Sequence, residues 1–381
     1  MAGFGFTEAQ EMFRRQMRDF ALRELAPTAK ERAKCELPRE MFKKIADMGL
    51  FGITLPQKYG GQGADWVSLG IAVEELAKVD FSVSLLPVSS VMFQFFLSSP
   101  EEVWREWLSP IIKGDKIGCF ALTEPGAGTD AVAITTRAIR SGDYYILDGE
   151  KTSISMGSMA DVGMLFAKTD PEAGAKGVSC FWVPLDLPGI TRTALQHTGW
   201  KSYTPSSIFM EGVRLPSKYL IGEEGKGFYI AMGAIDCFRV GLGLMALGLA
   251  QASLEEATTY ATQRTAFGRP IAKFEDVSFK IAEHATLIEA ARLLCYRALY
   301  LRDQGLPHTK ESAMCKWFCP VVSFKAIHDC ILIHGHIGYS EEYPLEQRLR
   351  DCLGLEFTDS TEQIMKIIIA RELMGRIAVP Y

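Results

Sequence analysis

Along the first hundred residues apolar side chains return every three or four positions. Met12, Phe13, Met17, Phe20, Ala21 and Leu25 form one such series, and Thr7-x-x-Gln10 ahead of it is a capping box, so the chain opens on an amphipathic helix. Pro38 starts a second helix that Gly49 stops, the Pro56–Gly63 loop leads into a third from about Asp65 to Lys78, and two more are expected at Ser82–Leu97 and Pro100–Lys113. After Gly114 the texture changes. Short apolar or alternating runs at Phe120–Leu122, Tyr144–Leu147, Val162–Ala167, Val178–Val183, Ile190–Ala194 and Ser207–Met210 are punctuated by Gly142-Asp143, Asp148-Gly149 and Pro188-Gly189. They predict a small β-barrel or sandwich. From Gly225 the helical period returns, with long helices expected at Gly227–Gln263, Phe274–Gln304, His308–Ile333 and Asp359–Met374, enough for a four-helix bundle. The predicted class is therefore α+β: an N-terminal helical domain (1–115), a central β-barrel domain (116–225) and a C-terminal helical bundle (226–381).

Composition narrows the function more than the fold. A length of 381 residues with 48% hydrophobic and 23% charged side chains suits a globular chain of two or three domains. A formal charge of −5 argues against a nucleic-acid binder. Apolar stretches such as Val240–Ala250 are rich in Gly and shorter than the roughly 20 residues a membrane span needs, and no basic and apolar leader precedes Phe6, so a cytoplasmic protein is expected. Nine scattered cysteines read as reduced thiols. Cys315-x-x-x-Cys319 offers two ligands one turn apart without a His pair, which reads as core packing and no metal site.

One stretch carries chemistry. Phe120-Ala-Leu-Thr-Glu-Pro-Gly-Ala-Gly-Thr-Asp130 runs from a strand into a Gly/Pro turn bearing hydroxyls and carboxylates. Pro125 fixes one backbone angle, and Gly126 and Gly128 allow a positive φ and keep side chains away from the backbone N–H groups, which suits a phosphate. No Gly-x-Gly-x-x-Gly opens a helix here, so this is not the dinucleotide fingerprint.

The whole stretch resembles the flavin-binding signature of the acyl-CoA dehydrogenase family, whose usual form ends in Gly-Ser-Asp. Arg264-Thr-Ala-Phe-Gly268 is similar to the family's Arg-x-x-Phe-Gly, and the segment Thr361–Leu373 is similar to its terminal helix. The resemblance runs from about Phe6 to the C-terminus. It implies FAD as cofactor, an acyl-CoA thioester as substrate, an electron-transferring flavoprotein as partner, and a homotetramer. The implied reaction removes a proton from C2 of the acyl group and a hydride from C3, the latter to flavin N5. Such chemistry needs a cofactor as electron sink, a carboxylate base, and donors aimed at the thioester oxygen.

Counting back from Ala370-Arg371-Glu372, the family's catalytic Glu falls on Asp359. Asp is one methylene shorter, which withdraws the carboxylate by roughly 1.5 Å. A misplacement of about 1 Å can cost on the order of a hundredfold in rate, so position matters more than the small intrinsic difference in acidity. Asp359 reads as the base, with a pocket that brings C2 closer or holds a bulky or cyclic acyl group at another height. Two other readings are a mere cap for the last helix and a base elsewhere. The family's alternative base position matches Phe238, which cannot take a proton, while Glu362 stays open about a turn away.

The resemblance further assigns flavin contacts to Phe120, Leu122, Thr123, Gly128, Thr129, Ser153, Ser155, Phe267, Phe274, Leu332, Gly335, Thr361 and Gln363. Arg264 is assigned to the pyrophosphate of a neighbouring subunit's flavin. Substrate contacts fall on Thr129, Asp236, Arg239 and Ser360, although Asp236 and Arg239, at i and i+3, are also spaced to pair with each other. Three departures stand out: Ser153 replaces a shielding Trp, Leu332 a Gln, and His336 a Gly. His334 and His336 diverge at i, i+2 spacing and are not expected to bind metal. Ala313–Cys319 resembles the carnitine-pathway branch, which works as an enoyl-CoA reductase. Alternatives to a dehydrogenase acting on a branched or cyclic acyl group are therefore the reverse reaction, an acyl-CoA oxidase, or a flavin-binding interaction protein without catalysis.

Overall fold

The computed structural model describes residues 5–378. Thr7 and Gln10 close the expected capping box around α1 (Glu8–Phe20), whose Met17 and Phe20 are buried, whereas Met12 faces solvent. A π-helical turn over Ala21–Leu25 and the short α2 (Ala29–Arg32) follow, then α3 (Arg39–Asp47), α4 (Trp66–Val79), α5 (Phe81–Phe93) and α6 (Glu101–Ile112). Asp65 caps α4 by accepting from the Ser68 N–H. α4 and α5 are buried almost throughout and lie against the long helix α7 (Gly227–Gln263), so the N-terminal helices share one core with the C-terminal ones.

The middle of the chain forms one mixed sheet of seven strands: β1 (Gly118–Ala121), β2 (Arg137–Ser141), β3 (Tyr144–Ile154), β4 (Val162–Lys168), β5 (Val178–Pro184), β6 (Ile190–Ala194) and β7 (Ser206–Pro216). β1 runs parallel to β4, with Phe120 opposite Met164, and the long β3 and β7 pair antiparallel. β2, whose alternation of Ala138 with Arg137 and Ile139 is short, went unnoticed in the pattern. β4 and β5 are buried on both faces and read as continuous apolar runs.

After α7, a two-residue hairpin of β8 (Thr265–Ala266) and β9 (Arg269–Pro270) leads to α8 (Glu275–Asp303) and α9 (Thr309–His334). The four expected helices are joined by a fifth, α10 (Leu345–Phe357), which buries Leu345, Cys352 and Leu355. The last helix, α11, spans Glu362–Met374 and not Asp359–Met374. Asp359 (φ 55°) and Ser360 (φ 88°) adopt left-handed backbone, which cannot continue a helix. α7 and the stretch Phe81–Ser98 reach the length and apolarity of membrane spans, but most of each is buried inside the fold, where the core accounts for it. All nine cysteines are free, and no cluster of metal-ligating side chains occurs among the described residues.

Candidate active site

The turn after β1 is braced from beneath. Glu124 and Ala127 exchange backbone hydrogen bonds of 3.0 and 3.1 Å across Pro125-Gly126. Below them the buried Glu124 carboxylate takes the Lys151 ammonium at 2.7 Å and the N–H groups of Thr135 and Thr136 at 2.6 and 3.1 Å, while Lys151 also donates to the Leu122 carbonyl at 3.0 Å. Burial pushes the Glu124 carboxyl up, but Lys151 and the threonine donors outweigh it and hold it down at about 2. Burial likewise brings Lys151 down to about 8 against the pull of Glu124, so the pair is charged at neutral pH. Neither Gly126 nor Gly128 has a positive φ, contrary to the expectation for this turn. Pro125 sits at a corner most residues can follow. What the glycines provide is room: a Cβ at either position would meet nothing within 4 Å.

The exposed backbone N–H groups of Gly126, Gly128 and Thr129 have no hydrogen-bond partner among the described residues. Thr123 lies half-buried beside them, its carbonyl taken by the Thr152 N–H at 2.9 Å. Bare amide donors beside hydroxyls and the half-buried Phe120 ring fit a flavin with its phosphates. Leu122 is buried behind them. At the end of β3, Ser153 is exposed at φ 55° where the pairing with β7 shifts register, and Ser155 is half-buried. The rim is open where the family carries an aromatic.

Phe238 joins this turn to α7. Its ring meets the Phe120 ring edge-on at 5.4 Å, and the next residue on the helix, Arg239, reaches a second cluster. Arg239, 5% exposed, donates to Asp236 at 2.8 Å, and the Thr309 hydroxyl occupies the other Asp236 oxygen at 2.6 Å. The Arg239 Nε is buried without a partner. Beside them Lys316 of α9, wholly buried, donates to the carbonyls of Ser360 at 3.0 Å and Glu356 at 3.3 Å.

Asp359 is half-buried over this pair of cations, yet its carboxylate forms no hydrogen bond or ion pair among the described residues, and neither does its N–H. Burial pushes its carboxyl above the usual range, and Lys316 and Arg239 only partly offset that. Burial brings Lys316 down to about 8, with Asp359 pulling the other way. The capping reading is overturned: the residue before α11 is Thr361, whose side chain makes no capping bond, and Asp359 lies two positions outside it. Glu362 is held by Lys366 at 3.4 Å and by Gln363.

Other assigned residues lie apart. Arg264 ends α7, 25 residues beyond Arg239, which at 1.5 Å per residue is roughly 37 Å along the axis. Exposed Phe267 at the hairpin tip meets Phe274 edge-on. Exposed Leu332 and Gly335 close α9, about 24 Å along that helix from Lys316. Within one chain these do not reach the Asp359 cluster. The pattern also passed over Glu124, Lys151 and Lys316. For Lys316 the signal was a lone charge in an otherwise apolar run, Ala313-Met-Cys-Lys-Trp-Phe-Cys319, which predicts a buried charge needing partners; Glu124 and Lys151 stand among polar neighbours that gave no such signal.

Three family profiles match the chain: acyl-CoA dehydrogenase N-terminal domain over residues 7–115, middle domain over 119–213 and C-terminal domain over 225–374. A 3-(aryl)acrylate reductase of Clostridium sporogenes is 38% identical over 374 residues, covering 97% of this chain and 99% of the relative. The CarC subunit of a caffeyl-CoA reductase–Etf complex from Acetobacterium woodii is 38% identical over 377 residues, covering 97% of this chain and all of the relative (100%). Among solved structures, butyryl-CoA dehydrogenase from Megasphaera elsdenii superposes with a TM-score of 0.93 at 34% identity, covering 98% of this chain and 100% of its own.

Proposed function

We propose that this chain, which belongs to the acyl-CoA dehydrogenase family and is an FAD-dependent oxidoreductase acting on CH–CH groups, uses Asp359 as the base that takes the C2 proton of an acyl-CoA thioester. The observation that carries the reading is a half-buried carboxylate with no partner of its own, on a left-handed turn above two buried cations. FAD, when bound, supplies the acceptor for the C3 hydride. The chain supplies position and charge. The free N–H of Asp359 is a donor available to the thioester oxygen, with the Arg239–Asp236 pair on α7 as the polar contact offered to the substrate and the apolar Phe120–Phe238 contact next to it on the same helix. The shorter acid favours a branched, cyclic or otherwise unusual acyl group.

Electrons pass onward to an electron-transferring flavoprotein in this reading, and the enzyme is a cytoplasmic homotetramer. Support for assembly comes from the separation of Arg264, Phe267 and Leu332 from the Asp359 cluster, and from exposed apolar side chains in the C-terminal part of the chain such as Phe267 at the hairpin tip, Phe279, Leu293, Leu332 and Ile377. A second reading, favoured by reductases among the relatives, runs the reaction backwards: Asp359, its pKa raised, returns the proton to C2 of an enoyl thioester.

A panel of saturated and 2-enoyl CoA thioesters, assayed with artificial electron acceptors and donors, separates the directions. Asp359→Asn should lower the rate by about 10²–10⁴ in whichever direction is active. Unchanged turnover in that variant would show the base to be elsewhere. Rapid reaction of the reduced enzyme with oxygen would instead mark an oxidase.

A further inference from the structure

We propose that Lys316 is a positioning residue for Asp359, clamping the left-handed turn that presents the carboxylate and holding a fixed positive charge beneath it. The inference rests on Asp359 being the base. Lys316 lies within α9 among Ser312, Cys315 and Cys319, all buried, at a phase where an apolar residue would suffice for packing. Its ammonium ties two ends together. Glu356 contributes a carbonyl from the last turn of α10, where carbonyls lack helical partners, and Ser360 contributes the carbonyl that follows the base. Asp359 and Ser360 are two consecutive non-glycine residues at positive φ, a conformation that persists only when the surroundings impose it. The Lys316 clamp is the polar contact that imposes it.

The charged and titratable groups around the ammonium are Asp359 on the turn, Arg239 with its partner Asp236 from α7, Glu356 from α10 and Cys319 on its own helix. Asp236 is engaged by Arg239 and Thr309. Asp359 and, more weakly, Glu356 are the carboxylates left to feel the charge of Lys316. A neutral cap would serve the end of α10 equally well, so it is the charge that separates positioning of the base from mere packing.

Lys316→Met in the FAD-loaded enzyme tests this, by following anaerobic reduction of bound FAD with an active acyl-CoA across pH, next to wild type and Asp359→Asn. The expected result is an acid limb moved upward by about one pH unit, with FAD content and visible spectrum retained. Below that limb the rate falls about tenfold. An unmoved acid limb in Lys316→Met beside an inactive Asp359→Asn overturns the role of Lys316 and leaves the base in place, whereas an active Asp359→Asn removes both. If Lys316→Met does not fold, Lys316→Gln, a neutral side chain that can still donate to the turn, decides: its acid limb should move upward by about one pH unit with FAD content retained. An acid limb unmoved in Lys316→Gln overturns the proposal.

Discussion

Two buried lysines in this molecule stand next to carboxylates, and they are used in opposite ways. Under the β1 turn, Lys151 donates directly to Glu124, and both Glu124 oxygens take further N–H or hydroxyl donors. That carboxylate is held down at about 2 and has no capacity left for chemistry. Beside α11, Lys316 spends its hydrogen bonds on backbone carbonyls, leaving Asp359 near a positive charge but bonded to nothing, its pKa raised. In the proposed function the first arrangement braces the loop offered to the cofactor and the second keeps the proposed base poised, and pairing rather than burial separates the two.

Breaking the brace should have the largest effect on stability. Lys151→Met leaves Glu124 buried without its cation and is expected to cost about 3–5 kcal/mol, read by denaturant unfolding. Adding Glu124→Gln should recover part of that loss, since no buried charge remains; a double variant as unstable as the sum of the single ones would mean that the two residues are not coupled. The two sites should also part company with pH. Glu124, depressed in the fold, contributes stability that is present above its unfolded pKa and is lost only as pH falls toward about 2. Asp359, raised in the fold, should instead give the rate an acid limb above the ordinary aspartate range, while FAD stays bound through that window. Coincident loss of activity and FAD on acidification would erase the contrast. The smallest effect concerns strain: Ser360→Gly relieves the φ of 88° and should stabilise the protein by about 1 kcal/mol in thermal unfolding.

Much of this was legible before any coordinates. Period alone separated helical ends from a β middle, because amphipathic helices and strands place apolar residues at 3.6 and 2. The missed α10 has its apolar residues at 345, 349, 352 and 355, a helical series, but it follows a Gly- and Pro-punctuated loop. The start of α11 was misjudged because Asp-Ser-Thr-Glu reads as a helix entry, whereas the left-handed turn at Asp359 and Ser360 is imposed from outside the segment. At the β1 turn the Gly residues were rightly singled out, but for a backbone angle they do not adopt.

By itself, the sequence determined the order of elements, the Gly/Pro turn after a strand and the presence of a short acid where a longer one is usual, since each depends on residues close together in the chain. Which lysine pairs and which only lends its charge depended on contacts between distant segments: Lys151 with Glu124 27 residues away, and Lys316 with Ser360 44 residues away. Desolvation and the direction of a hydrogen bond exist only once such segments are packed together, which is why the tertiary structure decided the two roles.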